Sequence, residues 1–145
     1  INAFDKASAD QMTLIPNTLP SVNGIGPVYA AGIIAEIGDI NRFPNQASLA
    51  KYAGLVWSQH QSGDFEAQNT RMIQSGNRYL KYYLCEAALS LVRCDAEYRS
   101  FYHRKYKEVN KYQHKRALAL TARKFVRLVF RLLKDNCLYR APESK

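Results

Sequence analysis

The segment from Leu19 to Phe43, LPSVNGIGPVYAAGIIAEIGDINRF, constrains the fold more than any other part of the chain. Gly24 and Gly26 lack a Cβ and can take positive φ, and Pro27 suits the first turn of a following helix. Ala30, Ala31, Ile33, Ile34 and Ile37 then supply an apolar face, and Gly38 is placed to end the helix at a left-handed cap. A glycine hairpin at a helix start leaves backbone N–H groups that can hold a phosphate oxygen. Two readings follow: a helix-hairpin-helix that grips a nucleic-acid backbone, or an ordinary packing corner between helices.

Charge distribution bears on that choice. The formal net charge of +9 is unevenly spread. Residues 1–70 carry three bases against six acids, net −3, whereas residues 71–145 carry 18 bases against six acids, net +12. A basic half of this strength points to a polyanionic partner, against the alternative of a solvated basic surface. With 145 residues and 47% hydrophobic content, the chain is long enough for one domain with a true core, and no apolar run could span a bilayer. No secretory signal opens the sequence, and the first residue is not Met, so a fragment of a longer protein is expected. Cys85, Cys94 and Cys137 lack metal-ligand spacing and read as buried cytosolic thiols.

The expected fold is mainly α. Residues 1–14 read as helical, followed by helices at about 27–37 and 46–53, the second capped by Asn45. Residues 55–75 have no helical period and read as an irregular or β-hairpin insertion, with Leu55–His60 a candidate strand. A helix from Gly76 and Asn77 to about Cys94 carries the stripe Leu80, Leu84, Ala87, Ala88, Leu91. Another, at about 95–109, places Tyr98, Tyr102 and Tyr106 on one line, as core packing or as a stacking platform for bases. The last, at about 112–135, sets Leu118, Ala122, Phe125, Val129 and Leu132 on one face. Arg116, Arg123, Arg127, Arg131 and Lys134 form another line, which repels itself unless an anion sits beside it.

Several enzyme templates fail. The third residue after each of His60, His103 and His114 is Gly63, Tyr106 and Ala117, so the His-x-x-Arg pair of a tyrosine recombinase is missing. No His/Cys cluster suits zinc, and the carboxylates are too scattered for a two-metal nuclease, with Asp64 and Glu66 alone in the loop. Ser62 remains. Between Gln61 and Gly63 it reads either as a loop serine or as an exposed nucleophile without an evident base.

The order and spacing of GIGPVYAAGIIAEIGDINRFP at 24–44, LAKYAGL at 49–55, QSG at 61–63, SGNRYLKYYLCEAALSL at 75–91 and KRALALTARKFVRLVFRLLKD at 115–135 resemble a known family. The chain is similar to the C-terminal transposase domain of the insertion-sequence-110 group, with the related 116 and 902 elements. It departs from the usual pattern at Asn23, where relatives have proline, at Val56-Trp57, and at Gln74, where a basic residue is common.

The resemblance implies one C-terminal domain over 1–145, with a helix-hairpin-helix-like part at about 14–54, a catalytic loop at about 55–75 and a basic helical part at 76–135. Ser62 would be the nucleophile that cuts and rejoins DNA through a phosphoserine intermediate. No cofactor is expected in this fragment, and Mg2+ would be held by acids of an N-terminal nuclease-like domain. DNA and a structured guide RNA are the expected partners, in a homo-oligomer, in the prokaryotic cytoplasm and away from membranes. Gly24, Ile25 and Gly26 would clamp phosphate through their amides, and Arg71, Arg78, Lys81, Lys115, Arg123, Lys124 and Arg127 would contact nucleic acid. The competing reading is a non-catalytic helix-hairpin-helix module of a repair or replication protein. A third is a helical interaction domain whose basic face meets an acidic protein.

Overall fold

A computed structural model describes residues 18–57, 61–62, 65–66 and 76–140. The fold is helical. Five α-helices run α1 Pro27–Ile37, α2 Gln46–Tyr52, α3 Arg78–Cys94, α4 Ala96–Lys107 and α5 Gln113–Asp135. The expected helix within residues 1–14 lies outside the described residues, and a 3-10 turn, Leu19–Ser21, stands ahead of the glycine hairpin. Within the 55–75 segment, Leu55 and Val56 form no strand. The extended pairing that is described is a two-residue antiparallel ladder of β1 Gln61–Ser62 with β2 Phe65–Glu66, matching Ser62 to Phe65.

Helix α3 is the spine. Its stripe Leu80, Leu84, Ala87, Ala88 and Leu91 is buried, as the 3.6-residue period requires, and it packs on α1, α4 and α5. Helix α1 runs antiparallel to it, and three contacts fix the register. Gly24 lies against Cys94 and Ser90, Gly32 lies against the Tyr83 ring, and Glu36 meets Asn77. Small residues on α1 let the two helices approach. A Cβ at Gly32 would lie 2.6 Å from the Tyr83 ring.

Caps follow the sequence. Asn45 Oδ1 accepts from the Ser48 amide at 2.9 Å, Asn77 Oδ1 from the amides of Tyr79 and Leu80, and Asp95 Oδ1 from Tyr98. Gly38 ends α1 at a positive φ of 68°, but its ψ of −117° differs from the left-handed cap expected. The cysteines are not the buried thiols expected, since Cys94 is exposed and Cys85 and Cys137 are half-buried. Asp95 joins α3 to α4 in a single residue, and Arg99 donates to the carbonyls of Val92 and Arg93, satisfying the end of α3. Helix α5 buries Phe125, Val126, Val129 and Leu132 against α3 and α4, with Phe125 edge-on to Tyr98. Its last turn is tied by Thr18 Oγ1, which donates to the Leu132 carbonyl at 3.1 Å.

The two ends of the 55–75 segment meet in a tight neck. The Asn77 amide donates to the Tyr52 carbonyl at 2.6 Å, and Asn77 Nδ2 reaches Glu36 Oε2 at 2.8 Å and Tyr52 Oη at 3.2 Å. Gly76 sits at φ +108°, where a Cβ would lie 2.7 Å from the Gly54 nitrogen and 2.8 Å from the Tyr52 carbonyl oxygen. Backbone cannot step aside as a side chain can. Gly76→Ala is therefore expected to cost about 3 kcal/mol, the upper range for left-handed strain in a non-glycine residue. Its urea midpoint should fall well below that of Gly26→Ala, whose added Cβ meets nothing within 4 Å.

Candidate nucleic-acid interface

Helices α4 and α5 enclose an open groove of about 630 Å³ whose lining is mostly basic. From α5 it takes Leu120, Arg123, Lys124, Arg127, Leu128 and Arg131, a single face at i, i+3, i+4, i+7, i+8 and i+11. From α4 it takes Tyr98, Phe101, Arg104 and Lys105. Phe101 is ringed by cations: Lys124 Nζ stands 5.0 Å from its centroid, Arg104 Cζ 5.4 Å and Lys105 Nζ 5.5 Å. Phe101, Arg104 and Lys105 escaped the sequence reading, because α4 has little apolar periodicity to orient them.

These cations differ in how far the fold already satisfies them. Lys124 pairs with Glu97 at 2.8 Å and also lies over the Tyr98 ring. Arg123 donates to Gln46 Oε1 at 2.5 Å, and burial together with the neighbouring Arg127 lowers its pKa. Arg127 and Arg131 are exposed and make no ion pair among the described residues. Of the five-cation line read from the sequence, the outer two are engaged within the chain. Arg116 pairs with Glu108 at 3.0 Å, and Lys134 donates to Asn41 Oδ1 at 2.9 Å.

The other expected contacts are distributed. Arg78 and Lys81 lie at the start of α3, with the Arg78 guanidinium over the Tyr79 ring, and Lys115 is exposed near the start of α5. Gly24, Ile25 and Gly26 lie beside the opposite end of α3, about 25 Å away by the rise of its 17 residues. Gly24 has φ +101°, and its carbonyl accepts from Ser90 Oγ at 2.6 Å. Gly26 does not take the positive φ expected of it. It is the extended N-cap of α1, at φ −78° and ψ 171°, because Pro27 occupies the first helical position. Ile25 is buried and its amide donates to the Val22 carbonyl, so that donor is already used. Arg71 lies outside the described residues, and Ser62 is on the β1 ladder.

Residues 17–103 match the model of the Transposase IS116/IS110/IS902 family. The chain belongs to this transposase family. It is 31% identical over 121 residues to the Insertion element IS110 uncharacterized 43.6 kDa protein of Streptomyces coelicolor, covering 83% of this chain and 29% of that protein. It is 29% identical over the same length to the Insertion element IS116 uncharacterized 44.8 kDa protein of Streptomyces clavuligerus, covering 83% of this chain and 30% of that protein. Identity to the Transposase for insertion sequence element IS1111A of Coxiella burnetii is 34% over 73 residues, covering 50% and 20% of the two chains. The chain spans less than a third of the length of these relatives. No helix among the described residues of this family member is long and apolar enough to cross a membrane.

Electrostatics at the turn between α4 and α5 yields a pH prediction. Lys105 and Arg116 both hydrogen-bond Glu108 and hold its carboxyl below the usual range. A depressed folded-state pKa stabilises above the unfolded value, and that contribution fades as pH falls through the folded pKa. The stability difference between the native chain and Glu108→Gln should thus be largest near neutral pH and shrink on acidification. Urea titrations of both at a series of pH values below neutral measure it.

Proposed function

We propose that this chain is the DNA-binding and nucleophile-bearing domain of a transposase that cuts and rejoins the DNA of an insertion element. The observation that carries the reading is the basic groove between α4 and α5, in a chain that belongs to a transposase family. Phosphate oxygens are the anions that match exposed arginines at i and i+4, and such contacts position a backbone without reading its sequence. Arg127, Arg131 and Arg104 form the outward part of this cradle, and Arg123 gains a counter-charge for its partly buried guanidinium. Lys115, Arg78 and Lys81 extend the basic surface, with Arg71 added from the loop. The amides of Gly24 and Gly26 offer a second, smaller grip on phosphate in the manner of a helix-hairpin-helix.

Ser62 is the proposed nucleophile. Its hydroxyl oxygen would bond to phosphorus as one P–O ester bond breaks, and the proton would pass through solvent or a base to the departing sugar oxygen. Reverse attack by a sugar hydroxyl would release Ser62 and restore the phosphodiester, so the bond energy is kept. Among the described residues no three His, Cys, Asp or Glu side chains group together as a metal site. The proposed Mg2+ would be held by acids of an N-terminal nuclease-like domain of the full-length protein, where it would stabilise charge on the phosphate. A structured RNA guide and a homo-oligomeric assembly complete the proposal.

Two experiments test it. Arg127→Ala and Arg131→Ala should each weaken duplex binding about tenfold whatever the base sequence, and reduce the slope of log affinity against log salt by about 1. In the full-length protein, Ser62→Ala should abolish a protein–DNA adduct that survives denaturing electrophoresis, while leaving duplex affinity within about twofold. Persistence of the adduct in that variant would remove Ser62 from the chemistry. Full transposition by Ser62→Ala would favour the non-catalytic binding module.

A further inference from the structure

The turn between α4 and α5 breaks local rules in a way that the core does not require. Tyr112 stands at the N-cap of α5 with φ 53° and ψ 36°, a left-handed conformation that aromatic residues avoid. Its side chain makes no capping hydrogen bond, although Ser, Asp or Asn at this position would satisfy the first amides of the helix. The contrasting left-handed residue is Asn136, which is suited to the end of α5. Tyr112 also gains nothing from burial. At 82% exposure it is the most exposed large hydrophobic side chain among the described residues.

The turn beneath it is firmly built. Arg116 donates to the Lys105 carbonyl and pairs with Glu108, and Gln113 Nε2 donates to the Tyr106 carbonyl at 3.2 Å. Tyr102 Oη and His114 Nδ1, 2.6 Å apart, tie the helices just below the tip. Glu108, the acid of this turn, is thereby neutralised from within. Lys107, Lys111 and Lys115 are exposed around the tip and make no ion pair among the described residues. A tied hairpin of helices thus holds one aromatic ring in water, with exposed lysines at the preceding position and one turn along α5.

We propose that Tyr112 is a stacking site for an unpaired nucleobase, with Lys111 and Lys115 holding the phosphates on either side of it. The inference rests on the nucleic-acid reading above and extends it from the α4–α5 groove to the tip. A flat aromatic face accepts any base, and flanking ammonium groups accept the strand that carries it. A continuous duplex offers no free base face, so the tip distinguishes a bulge, gap or melted segment from paired nucleic acid. DNA and RNA share this chemistry.

The test uses two-stranded duplexes with one bulged, unpaired 2-aminopurine, each beside a fully paired counterpart, made in DNA and in RNA. Tyr112→Gly should weaken binding to the bulged ligand about tenfold and leave the paired one within about twofold. Tyr112→Trp should keep native affinity and the quenching of 2-aminopurine fluorescence. Glycine is at ease at positive φ, so Tyr112→Gly should not lower the melting temperature and should raise it by about 3 °C, which excludes loss of folding as the cause. Equal affinity of the native chain and Tyr112→Gly for the bulged ligand, or equal losses on both ligands, would overturn the stacking site. Failure of the native chain to bind even the paired ligands would overturn the wider nucleic-acid reading with it. The DNA and RNA arms show which strand the tip prefers, and dependence on Tyr112 in either supports the site.

Discussion

The antiparallel seam between α1 and α3 is the constraint from which the rest of the arrangement follows. Two glycines allow close approach, Gly24 on Cys94 at one end and Gly32 under Tyr83 in the middle, and a polar pair, Glu36 with Asn77, closes the other end. Because interiors are close-packed, a seam this tight has one register. That register places the glycine hairpin at the end of α3 where α4 begins. It also places the neck of the 55–75 segment where α3 starts, so both features hang on a single helix pair.

At the neck, Asn77 serves several backbones at once. Its Oδ1 caps α3, its Nδ2 reaches α1 and α2, and its own amide binds the Tyr52 carbonyl. The Asn77 hydrogen bond, and after it Arg42, whose cation lies over the Tyr52 and Phe43 rings, hold the Tyr52 phenol below its ordinary pKa. Networks of this kind are worth more complete than in parts. The entry and exit of the segment that contains Ser62 are thus joined by polar contacts, while Leu55 at the entry is fully buried in the core.

Elements governed by local physics were legible in the sequence. The helices at 27–37, 46–53 and 77–94, and that at 112–135, follow apolar period and caps, and the structure agrees within a residue or two. The tyrosine line resolves into a gradient that periodicity cannot give. Tyr98 is buried on Phe125 with its phenol pKa raised by burial, Tyr102 is half-buried, and Tyr106 is exposed. What was hidden depends on which surfaces meet across the chain. Spacing along α5 could not say that Arg116 would find Glu108, or that Lys134 would find Asn41. Nor could it show that α4 would bring Phe101, Arg104 and Lys105 to face Arg123 and Arg127. Gly26 misled for a local reason, since its neighbour Pro27 drew it into an extended cap.

The division between satisfied and unsatisfied cations links binding to stability. Lys105, Arg116 and Lys124 have acids, the last two reaching from α5 to Glu108 and Glu97 on the α4 side, and Lys134 ties α5 to Asn41. Arg123 and Arg127, by contrast, repel across one turn of the same helix, and Arg123 is also partly desolvated. The unliganded domain carries that cost in α5, whose apolar face nevertheless holds it in place through Phe125, Val129 and Leu132. An anion bound in the proposed groove would offset that repulsion. Ligand and fold then reinforce each other, because whatever binds the native state alone stabilises it by mass action. The same logic separates the groove from the tip at Tyr112. The groove carries its strain as like charge, which the proposed phosphate would relieve, whereas the tip carries it in the backbone beneath an exposed ring.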